Sequence, residues 1–364
     1  MNWPIFLNKP AVLPMTVLAL ASGYEVAAIS PLPENQTFRW ERLPDIPNPE
    51  GFAGAFAGVS GGALIVAGGA NIPENKWADD FHKVWSGSVF VLEKPAGPWR
   101  RGGELPRPLG YGVSITTSNG LICIGGSDTR QHYANVFRME SRAGKIITTP
   151  MPSLPKPCAN SCGALVGDAI YVAGGIETPD ATAALRSFWK LDLREKNLRW
   201  VELEPWPGPE RMLAVAGAHR GAFYLFSGTQ LHASTDQKPL RHYLGDAYRF
   251  TPGKGWTRLP DLPRAAAGAP SPAPTWRDSL LLFSGDDGGK VNSKPLSEHP
   301  GFSRDVLAFE VNKNLWSLAG DAPFSRATVP TVEWRGHIVV PNGEVRPRER
   351  TPEVWWAEVG RPSK

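Results

Sequence analysis

Two side chains of opposite charge stand six residues apart near the end of the chain, where Glu344 opens a polar segment and Arg350 comes near its end. The segment reads Asn-Gly-Glu-Val-Arg-Pro-Arg-Glu-Arg-Thr over residues 342–351 and directly follows an apolar run. A glutamate can take up and return a proton, and an arginine fork can hold a carboxylate. The pair therefore indicates acid–base chemistry on an anionic ligand such as a sugar acid. A charged surface loop is the alternative interpretation.

Four further arginines share one place in a repeating pattern, because each stands shortly before a segment that predicts an innermost strand. They are Arg107, Arg211, Arg264 and Arg326. If these strands line a central channel, the guanidinium groups converge near its axis and become candidate ligands of a carboxylate. The alternative is that they form salt bridges between the repeated units.

The elements that must position these side chains come from a sixfold repeat. An apolar run that ends in two small or turn-forming residues recurs at 63–69, 121–126, 170–175, 223–228, 280–285 and 337–343. The last glycines of successive runs are 57, 49, 53, 57 and 58 residues apart. A short polar turn precedes each run, as expected for a β-hairpin. A fixed period of this length is typical of a propeller or solenoid.

A tryptophan-centred strand accompanies most of the repeats. The tryptophans are Trp40, Trp99, Trp200, Trp256 and Trp316, and the copy near Lys145 lacks one. Four strands, a small-residue doublet and a tryptophan in about 50 residues describe a kelch-type blade. The first tryptophan strand precedes any doublet, and the last repeat has no such strand of its own. We therefore predict an all-β, six-bladed kelch-type β-propeller over residues 31–364, closed by the N-terminal strand joining the C-terminal blade.

The longest loops of the repeat follow the doublets, at 70–87, 229–245, 286–304 and 344–351. In a blade of alternating strands these loops share one face with the connections between blades. Long loops on a rigid scaffold commonly carry binding and catalysis. The sequence therefore predicts a pocket at the mouth of the central channel on this face, which we call the long-loop face.

Composition narrows the class of protein. The chain has 38 Gly and 36 Pro among 364 residues, which disfavours a mainly helical fold. The net charge of +4 is small and scattered, so no nucleic-acid or membrane-surface partner is expected. Three cysteines form neither a disulfide framework nor a zinc set. Cys158 and Cys162 are close enough in sequence for a local bridge, but buried free thiols are favoured.

The first 30 residues differ from the repeats and predict a signal peptide or an N-terminal arm. Lys9 precedes an apolar run at 10–22, and Ala19-Leu20-Ala21 fits a small-x-small cleavage pattern. The run is too short to cross a bilayer. A periplasmic or secreted protein follows if the segment is a signal peptide, and a cytoplasmic one if it is an arm.

Three segments carry a resemblance to a known family. They are the pattern N-G-E-x-x-P-x-x-R-T at 342–351, the Gly- and Ala-rich stretch 49–60 with its run at 64–70, and Tyr-Gly-Val-Ser at 111–114 followed by Ile-Gly-Gly at 124–126. These resemble the kelch-propeller N-acetylneuraminate epimerases, or sialic acid mutarotases. Their order along the chain resembles that of the cyclically permuted mutarotases.

The resemblance implies an isomerase that interconverts anomers of N-acetylneuraminate or a related sugar acid, with no metal and no cofactor. It implies Glu344 as the acid/base group and Arg350 as the carboxylate-binding partner. Together with the arginine pattern it suggests a set of substrate-binding residues, namely Asn71, Arg107, Tyr111, Arg211, Arg264 and Arg326.

Other functions remain open at this point. A non-catalytic kelch propeller that binds a protein or a glycan on its long-loop face is compatible with the fold. A copper radical oxidase needs a Tyr–Cys pair with His ligands, and a sialidase needs an S-x-D-x-G-x-T-W box; neither pattern is found in the sequence. The segment Asp286-Asp287-Gly288-Gly289 resembles a calcium loop, but a plain turn is the favoured interpretation.

Overall fold

Thirty β-strands make up nearly all of the regular structure of the computed structural model, which describes residues 38–142, 144–234 and 239–358. In these ranges the one helical element is a 3-10 turn at Leu296–Glu298. It follows that no helix in the described ranges is long and apolar enough to cross a membrane. The segment 1–30, for which a signal peptide or an arm is predicted, lies outside the described residues.

The strands are numbered in chain order. The first fifteen are β1 (Arg39–Leu43), β2 (Phe56–Ser60), β3 (Ala63–Ala67), β4 (Ala70–Asn71), β5 (Val84–Trp85), β6 (Ser88–Leu92), β7 (Arg100–Glu104), β8 (Val113–Thr117), β9 (Gly120–Ile124), β10 (Val136–Arg142), β11 (Lys145–Met151), β12 (Cys162–Val166), β13 (Ala169–Ala173), β14 (Phe188–Asp192) and β15 (Trp200–Glu202). The remainder are β16 (Val215–His219), β17 (Ala222–Phe226), β18 (Thr229–His232), β19 (Leu240–Tyr243), β20 (Ala247–Thr251), β21 (Gly255–Leu259), β22 (Thr275–Trp276), β23 (Ser279–Phe283), β24 (Asp305–Glu310), β25 (Leu315–Asp321), β26 (Val332–Trp334), β27 (His337–Pro341), β28 (Glu344–Arg346), β29 (Glu349–Arg350) and β30 (Val354–Glu358).

Six four-stranded antiparallel sheets form the blades. From the innermost strand outward they are blade 1 (β2, β3, β6, β7), blade 2 (β8 to β11), blade 3 (β12 to β15), blade 4 (β16, β17, β20, β21), blade 5 (β22 to β25) and blade 6 (β26, β27, β30, β1). Three two-stranded ribbons, β4–β5, β18–β19 and β28–β29, project from the loops that follow the doublets. The predicted six-bladed propeller is therefore confirmed.

The N-terminal strand closes the ring. Strand β1 pairs antiparallel with β30, with Arg39 opposite Glu358 and Leu43 opposite Val354. The outermost strand of blade 6 thus comes from the start of the propeller and the other three strands from its end. This pairing joins the two ends of the propeller and confirms the predicted closure. Opening the ring would break all of its hydrogen bonds.

The hydrophobic core lies between neighbouring blades and explains the apolar runs. The second strand of a blade is covered on both faces, so it contains consecutive apolar residues rather than alternating ones. In β17, Tyr224 and Phe226 pack toward blade 5, whereas Phe223 and Leu225 pack toward blade 3. Every residue of β17 is buried. The six runs of the sequence are therefore the six doubly covered strands.

Four tryptophans of the outer strands link their blade to the one before it. An indole N–H in a packed position needs an acceptor, and a backbone carbonyl of the preceding blade supplies one; the N–H of Trp40 has no partner in the described ranges. The donor–acceptor pairs are Trp99 with Pro44 O (2.7 Å), Trp200 with Pro152 O (2.9 Å), Trp256 with Glu204 O (2.8 Å) and Trp316 with Pro260 O (3.0 Å). The conserved spacing of the tryptophans thus reflects an inter-blade contact.

The doublets turn the chain at the end of each second strand and touch the next blade. The first residue has a positive φ in all six copies, from 55° at Ser227 to 69° at Gly68. A Cβ added at Gly125 would lie 2.4 Å from the carbonyl oxygen of Cys158, and one at Gly174 would lie 2.3 Å from that of Arg211. Glycine therefore serves here both for its left-handed backbone and for the close approach of the next blade.

A closed ring of backbone hydrogen bonds surrounds the central axis. One residue per blade contributes to it, each with a positive φ and each located in the connection that enters an innermost strand. They are Gly54, Tyr111, Asn160, Leu213, Gly268 and Thr328. Each N–H donates to the carbonyl of the ring residue in the preceding blade, at 2.6 to 2.8 Å, and Gly54 donates to Thr328 to complete the circle. We call this set the axial ring.

The three cysteines are free and buried. Burial raises the pKa of the Cys158 and Cys162 thiols to about 12. Their sulfur atoms lie 3.3 Å from Gly174 O and 3.6 Å from Ala173 O, respectively. The favoured prediction of buried free thiols is confirmed, and no local bridge forms.

The doublet geometry predicts a large loss of stability for Gly125→Ala. The substitution combines a left-handed backbone, which costs an L-residue about 1–2 kcal/mol, with a clash against the carbonyl of Cys158. Gly167→Ala is the matched control, because Gly167 has a φ of 58° and open space around the added Cβ. We expect a loss of about 3 kcal/mol or more for Gly125→Ala and about 1 kcal/mol for the control, measured by chemical denaturation. Equal losses would contradict the close-approach explanation.

Candidate active site

A cavity of about 860 Å³ opens at the mouth of the central channel on the long-loop face. The axial ring forms its floor, and its walls come from the loops after the doublets of all six blades. Pockets for small molecules usually span about 300–1,000 Å³. Below the ring the channel narrows to a space of about 70 Å³, and the opposite mouth holds about 360 Å³. The largest of these three cavities therefore lies where the long loops predict it.

The ribbon β28–β29 presents Glu344 and Arg350 to this cavity. The two residues are directly opposite each other in the antiparallel register of the ribbon. Their six-residue spacing is thus the length of a hairpin that folds back on itself. Both side chains line the cavity, and they are neighbours as the sequence predicts.

The carboxylate of Glu344 is held from one side. Its Oε1 atom accepts a hydrogen bond of 2.9 Å from the backbone N–H of Arg348 and lies 3.3 Å from Nη2 of Arg350. No hydrogen bond reaches Oε2 from any residue in the described ranges. The oxygen Oε2 therefore remains available to a ligand in the cavity.

Arg350 is buried and incompletely bonded. Its side chain is 3% exposed, and its Nε and Nη1 atoms have no hydrogen-bond partner in the described part of the chain. Burial alone would lower the pKa of Arg350, but the Glu344 carboxylate and Tyr111 raise it above its ordinary value. A buried guanidinium with orphaned donors is costly unless an anion satisfies them. The geometry thus fits a carboxylate ligand.

Tyr111 connects the axial ring to the cavity wall. It is a ring residue with a φ of 59°, which is unusual for a bulky side chain and directs the phenol into the cavity. Its ring packs edge-on against Trp85 at 5.5 Å, and the ammonium of Lys83 lies 4.8 Å from its centroid. Sequence analysis proposed Tyr111 for substrate binding, and the structure places it beside Arg350.

Arg348 ties the ribbon to the loop of blade 1. Its guanidinium lies 4.0 Å from the ring centroid of Phe81 and donates to the carbonyl of Ala78 at 2.9 Å. The same residue caps Glu344 through its backbone N–H. The wall on the side of blades 6 and 1 is therefore one connected structure.

A scan against protein families decides the relationship. The family model described as "NANM: N-acetylneuraminate epimerase" matches residues 23–148 and 151–293, which together are most of the chain. The chain belongs to the N-acetylneuraminate epimerase family. The match ends before the ribbon β28–β29. The position of Glu344 and Arg350 in the cavity therefore comes from the structure and not from the family match.

Curated relatives in the epimerase family match part of the chain. The N-acetylneuraminate epimerase of Haemophilus influenzae (strain 86-028NP) is 30% identical over 227 residues, covering 56% of this chain and 58% of the relative. That of Pasteurella multocida (strain Pm70) is 27% identical over 236 residues, covering 58% and 59%. The chain thus spans somewhat more than half the length of these relatives.

A solved structure described as "Structure of YjhT" shares the fold. It superposes with a TM-score of 0.62 and 16% sequence identity, covering 86% of this chain and 96% of that chain. At this identity the comparison concerns the fold alone, and it agrees with a propeller that extends over nearly all of the chain.

Three of the four arginines predicted as ligands do not reach the cavity. Arg211 forms a two-pronged ion pair with Asp246 at 2.8 Å, and Arg264 bonds to Asp305 at 2.8 Å. Arg326 bonds to Glu353 at 2.7 Å. None of the three lines the cavity. In each pair the arginine precedes the first strand of a blade and the carboxylate lies at the start of the third strand of the same blade, so the pairs lie within blades and not between them.

Two further binding candidates are also displaced from the cavity. Arg107 is exposed and stacks on the ring of Tyr133 at 4.4 Å, because its blade has no carboxylate at the place taken by Asp246 in blade 4. Asn71 is buried behind the wall, where its amide donates to Asn48 and to the carbonyl of Gly51. Neither side chain lines the cavity, so the structure does not bring either of them to the predicted ligand site.

Sequence reasoning missed His132 as a residue of the cavity wall. Its Nδ1 lies 3.1 Å from the carbonyl of Ile176, so Nδ1 carries the hydrogen. Burial lowers the pKa of His132, which keeps the imidazole neutral. Asp128 organises the turn before it by accepting from the N–H groups of Arg130 and Gln131. An isolated histidine in a loop has no sequence signal that would identify it.

Asp286 and Tyr243 also line the cavity and were not proposed from the sequence. The hydroxyl of Tyr243 donates to Oδ2 of Asp286 at 2.7 Å. Asp286 follows the Ser284-Gly285 doublet as Glu344 follows Asn342-Gly343, which is a signal that the sequence contained. The segment 286–289 is a turn closed by Asp286, as the favoured interpretation held, and no group of three metal-binding side chains is found in the described ranges.

The ion pair of Arg211 predicts a stability effect that is separate from ligand binding. Arg211→Met leaves Asp246 buried without its partner, and we expect a loss of about 3–5 kcal/mol. Adding Asp246→Asn removes the stranded charge and should restore part of this loss. Chemical denaturation of the two variants measures the loss of stability in the single variant and its partial recovery in the double variant. A loss below about 1 kcal/mol for the single variant would contradict the structural role.

The same pair predicts a pH dependence. Burial disfavours the charged form of Asp246, but the hydrogen bonds and charge of Arg211 outweigh burial and hold the pKa of that carboxyl below its ordinary value. The contribution of the pair is therefore present at neutral pH and is lost as the pH falls through the folded-state pKa. The stability difference between the wild type and the double variant should shrink on acidification.

Proposed function

We propose that the protein interconverts the anomers of N-acetylneuraminate, or of a closely related sugar acid, by general acid/base catalysis. One observation carries the proposal: the buried, orphaned donors of Arg350 lie beside the half-free carboxylate of Glu344 in the cavity. Membership of the epimerase family supports the choice of substrate class.

The reaction needs an anion site beside a proton-transfer group. Opening the cyclic hemiketal removes a proton from the anomeric hydroxyl and delivers a proton to the ring oxygen, and reclosure reverses these roles. One carbon–oxygen bond breaks and re-forms with the transfer of protons and without a net change of oxidation state, so the chemistry itself requires neither a metal nor a redox cofactor. N-acetylneuraminate is a 2-keto sugar acid, so its carboxylate is attached to the anomeric carbon. Binding that carboxylate at Arg350 therefore brings the anomeric hydroxyl next to Glu344.

The rest of the cavity suits a polyhydroxylated ligand. Tyr111 and Lys83 supply polar atoms beside Arg350, and Lys83 adds a positive charge that favours an anion. Trp85 and Phe81 supply aromatic faces on the same side. Apolar walls with a few polar groups are the usual composition of small-molecule sites.

We expect Glu344→Gln to abolish most of the acceleration of mutarotation. Crystalline β-N-acetylneuraminate is dissolved and its anomer ratio is followed by proton NMR with and without protein. Loss of the acid/base group should lower kcat by about 10²–10⁴-fold. Arg350→Lys keeps the charge but loses the planar fork, so we expect weaker substrate binding, by about tenfold or more.

Glu349→Gln is the matched control for this experiment. Glu349 belongs to the same ribbon but pairs with Arg346 and does not line the cavity. Its substitution should leave the rate unchanged. If the folded wild type does not accelerate equilibration, the proposed reaction on this substrate is wrong, and a propeller that only binds a protein or a glycan becomes the better interpretation.

We propose in addition that the chain is exported and that the segment before residue 22 is removed. The basic residue Lys9, the apolar run 10–22 and the Ala19-Leu20-Ala21 pattern support this, and the family match begins at residue 23. Expression of the full chain in a bacterium with a periplasm should yield a periplasmic protein whose intact mass lacks residues 1–21. An uncleaved chain in the cytoplasm would overturn the proposal.

A further inference from the structure

The reaction proposed above needs two proton-transfer positions, and Glu344 supplies one. The opening step takes a proton from the anomeric oxygen and gives one to the ring oxygen. In the two anomers the anomeric hydroxyl lies on opposite faces of the sugar ring. A second group on the cavity floor, at a defined position relative to Glu344, would serve both steps and both anomers.

The propeller repeats the position of Glu344 in every blade. The residue directly after each doublet forms an isolated antiparallel bridge with the residue that precedes the axial ring residue of the same blade. The six bridges are Ala53 with Ala70, Gly110 with Ser127, Ala159 with Ile176, Met212 with Thr229, Ala267 with Asp286, and Ala327 with Glu344. Two of these six equivalent positions carry carboxylates, namely Asp286 and Glu344.

The two carboxylates occupy neighbouring positions around the axis. Asp286 is anchored to Ala267 by backbone hydrogen bonds of 2.8 and 2.9 Å, and Glu344 to Ala327 by bonds of 2.8 and 3.0 Å. The residues that follow these anchors are Gly268 and Thr328, and the N–H of Thr328 donates to the carbonyl of Gly268 at 2.6 Å. This hydrogen bond of the axial ring therefore holds the two carboxylate-bearing segments side by side, and both side chains line the cavity.

Asp286 is held in a defined orientation. Its Oδ2 accepts from the hydroxyl of Tyr243 at 2.7 Å, and its Oδ1 accepts from the N–H of Gly288 at 3.0 Å. Gly288 has a φ of 80°, and a Cβ there would lie 2.5 Å from the Tyr243 ring, so the turn fits closely against the phenol. A carboxylate oxygen accepts up to two hydrogen bonds, so both oxygens of Asp286 keep capacity for a ligand hydroxyl.

Two other ionisable groups of the wall are placed less well for this role. His132 and Asp128 belong to the loop of blade 2, two positions around the ring from Glu344. Oδ1 of Asp128 accepts from the two backbone N–H groups of the turn, and Oδ2 accepts from the Tyr133 hydroxyl. Asp286 is the ionisable group in the described ranges that shares the register of Glu344 on an adjacent position.

We infer that Asp286 is the second proton-transfer residue and acts with Glu344 as a carboxylate pair; this inference rests on the proposed function. The step requires one of the two carboxyl groups to be protonated and the other ionised when the sugar is bound. The ionised member takes the proton of the anomeric hydroxyl, the bond from the anomeric carbon to the ring oxygen breaks, and its electron pair goes to the ring oxygen. The protonated member gives its proton to that oxygen, so a carbonyl and a hydroxyl result. Reclosure on the other face uses the exchanged protonation states, and no net proton is gained or lost.

The test compares Asp286→Asn with Asp287→Asn in the NMR assay of anomer equilibration. Asp287 is the next residue, is hydrogen-bonded to the N–H of Gly289 and does not line the cavity. We expect Asp286→Asn to lower kcat by about 10²-fold, at the lower end of the range for a general acid/base group, while KM changes less than threefold. Asp287→Asn should match the wild type.

Chemical rescue separates a proton-transfer role from a structural one. Asp286→Ala should lose activity to a similar degree and regain part of it when formate is added, because formate restores a carboxylate at the vacated position. Thermal melting of each variant shows that the fold is retained. A structural role for Asp286, in holding Tyr243 and the turn, would give no recovery with formate.

The outcomes distinguish this inference from the proposed function. Acceleration by the wild type, lost in Glu344→Gln but kept in folded Asp286→Asn, overturns the inference and leaves the function standing. Lost activity in Asp286→Ala without formate rescue also overturns it. Absence of acceleration by the wild type overturns the function, and the inference with it.

Discussion

The axial ring is the constraint on which the active-site geometry depends. Six backbone N–H groups each donate to the preceding blade at 2.6 to 2.8 Å, so the ring is complete only when all six blades are present. Every member has a positive φ, although four of the six are not glycine. This left-handed conformation costs an L-residue about 1–2 kcal/mol. The ring residues keep it because the packing of the surrounding blades stabilises it. The ring thereby converts six separate connections into one floor for the cavity.

The floor determines which side chains can act together. The residue after each doublet is bridged to the residue before a ring member, so its side chain projects at a fixed height beside the axis. Four of the six copies are Ala, Ser, Ile and Thr, and two are carboxylates on adjacent positions. A symmetric scaffold thus acquires a polar, one-sided site by substitution at two equivalent positions. The ribbon β28–β29 adds Arg350 to the same side.

Arginine has two different roles in this structure, and the role depends on the carboxylate that each arginine contacts. Arg211, Arg264 and Arg326 each meet a carboxylate at the entry of the third strand of their own blade, because the first and third strands run in the same direction and begin at the same edge. They stabilise the blades, and none of the three lines the cavity. Arg350 lines the cavity against a carboxylate that lies 3.3 Å from Nη2, and its Nε and Nη1 have no hydrogen-bond partner in the described part of the chain.

The sequence by itself determined the number of blades, the closure by β1 and the identity of the Glu344–Arg350 pair. These follow from short-range rules: a strand covered on both faces is continuously apolar, a left-handed turn under a neighbouring carbonyl favours glycine, and a hairpin brings residues six apart into register. Only the tertiary structure shows the ion-pair partners of Arg211, Arg264 and Arg326, because the carboxylates lie 27 to 41 residues away in the sequence. It also decided the pairing of Asp286 with Glu344, since only the closed axial ring brings equivalent positions of neighbouring blades onto one floor.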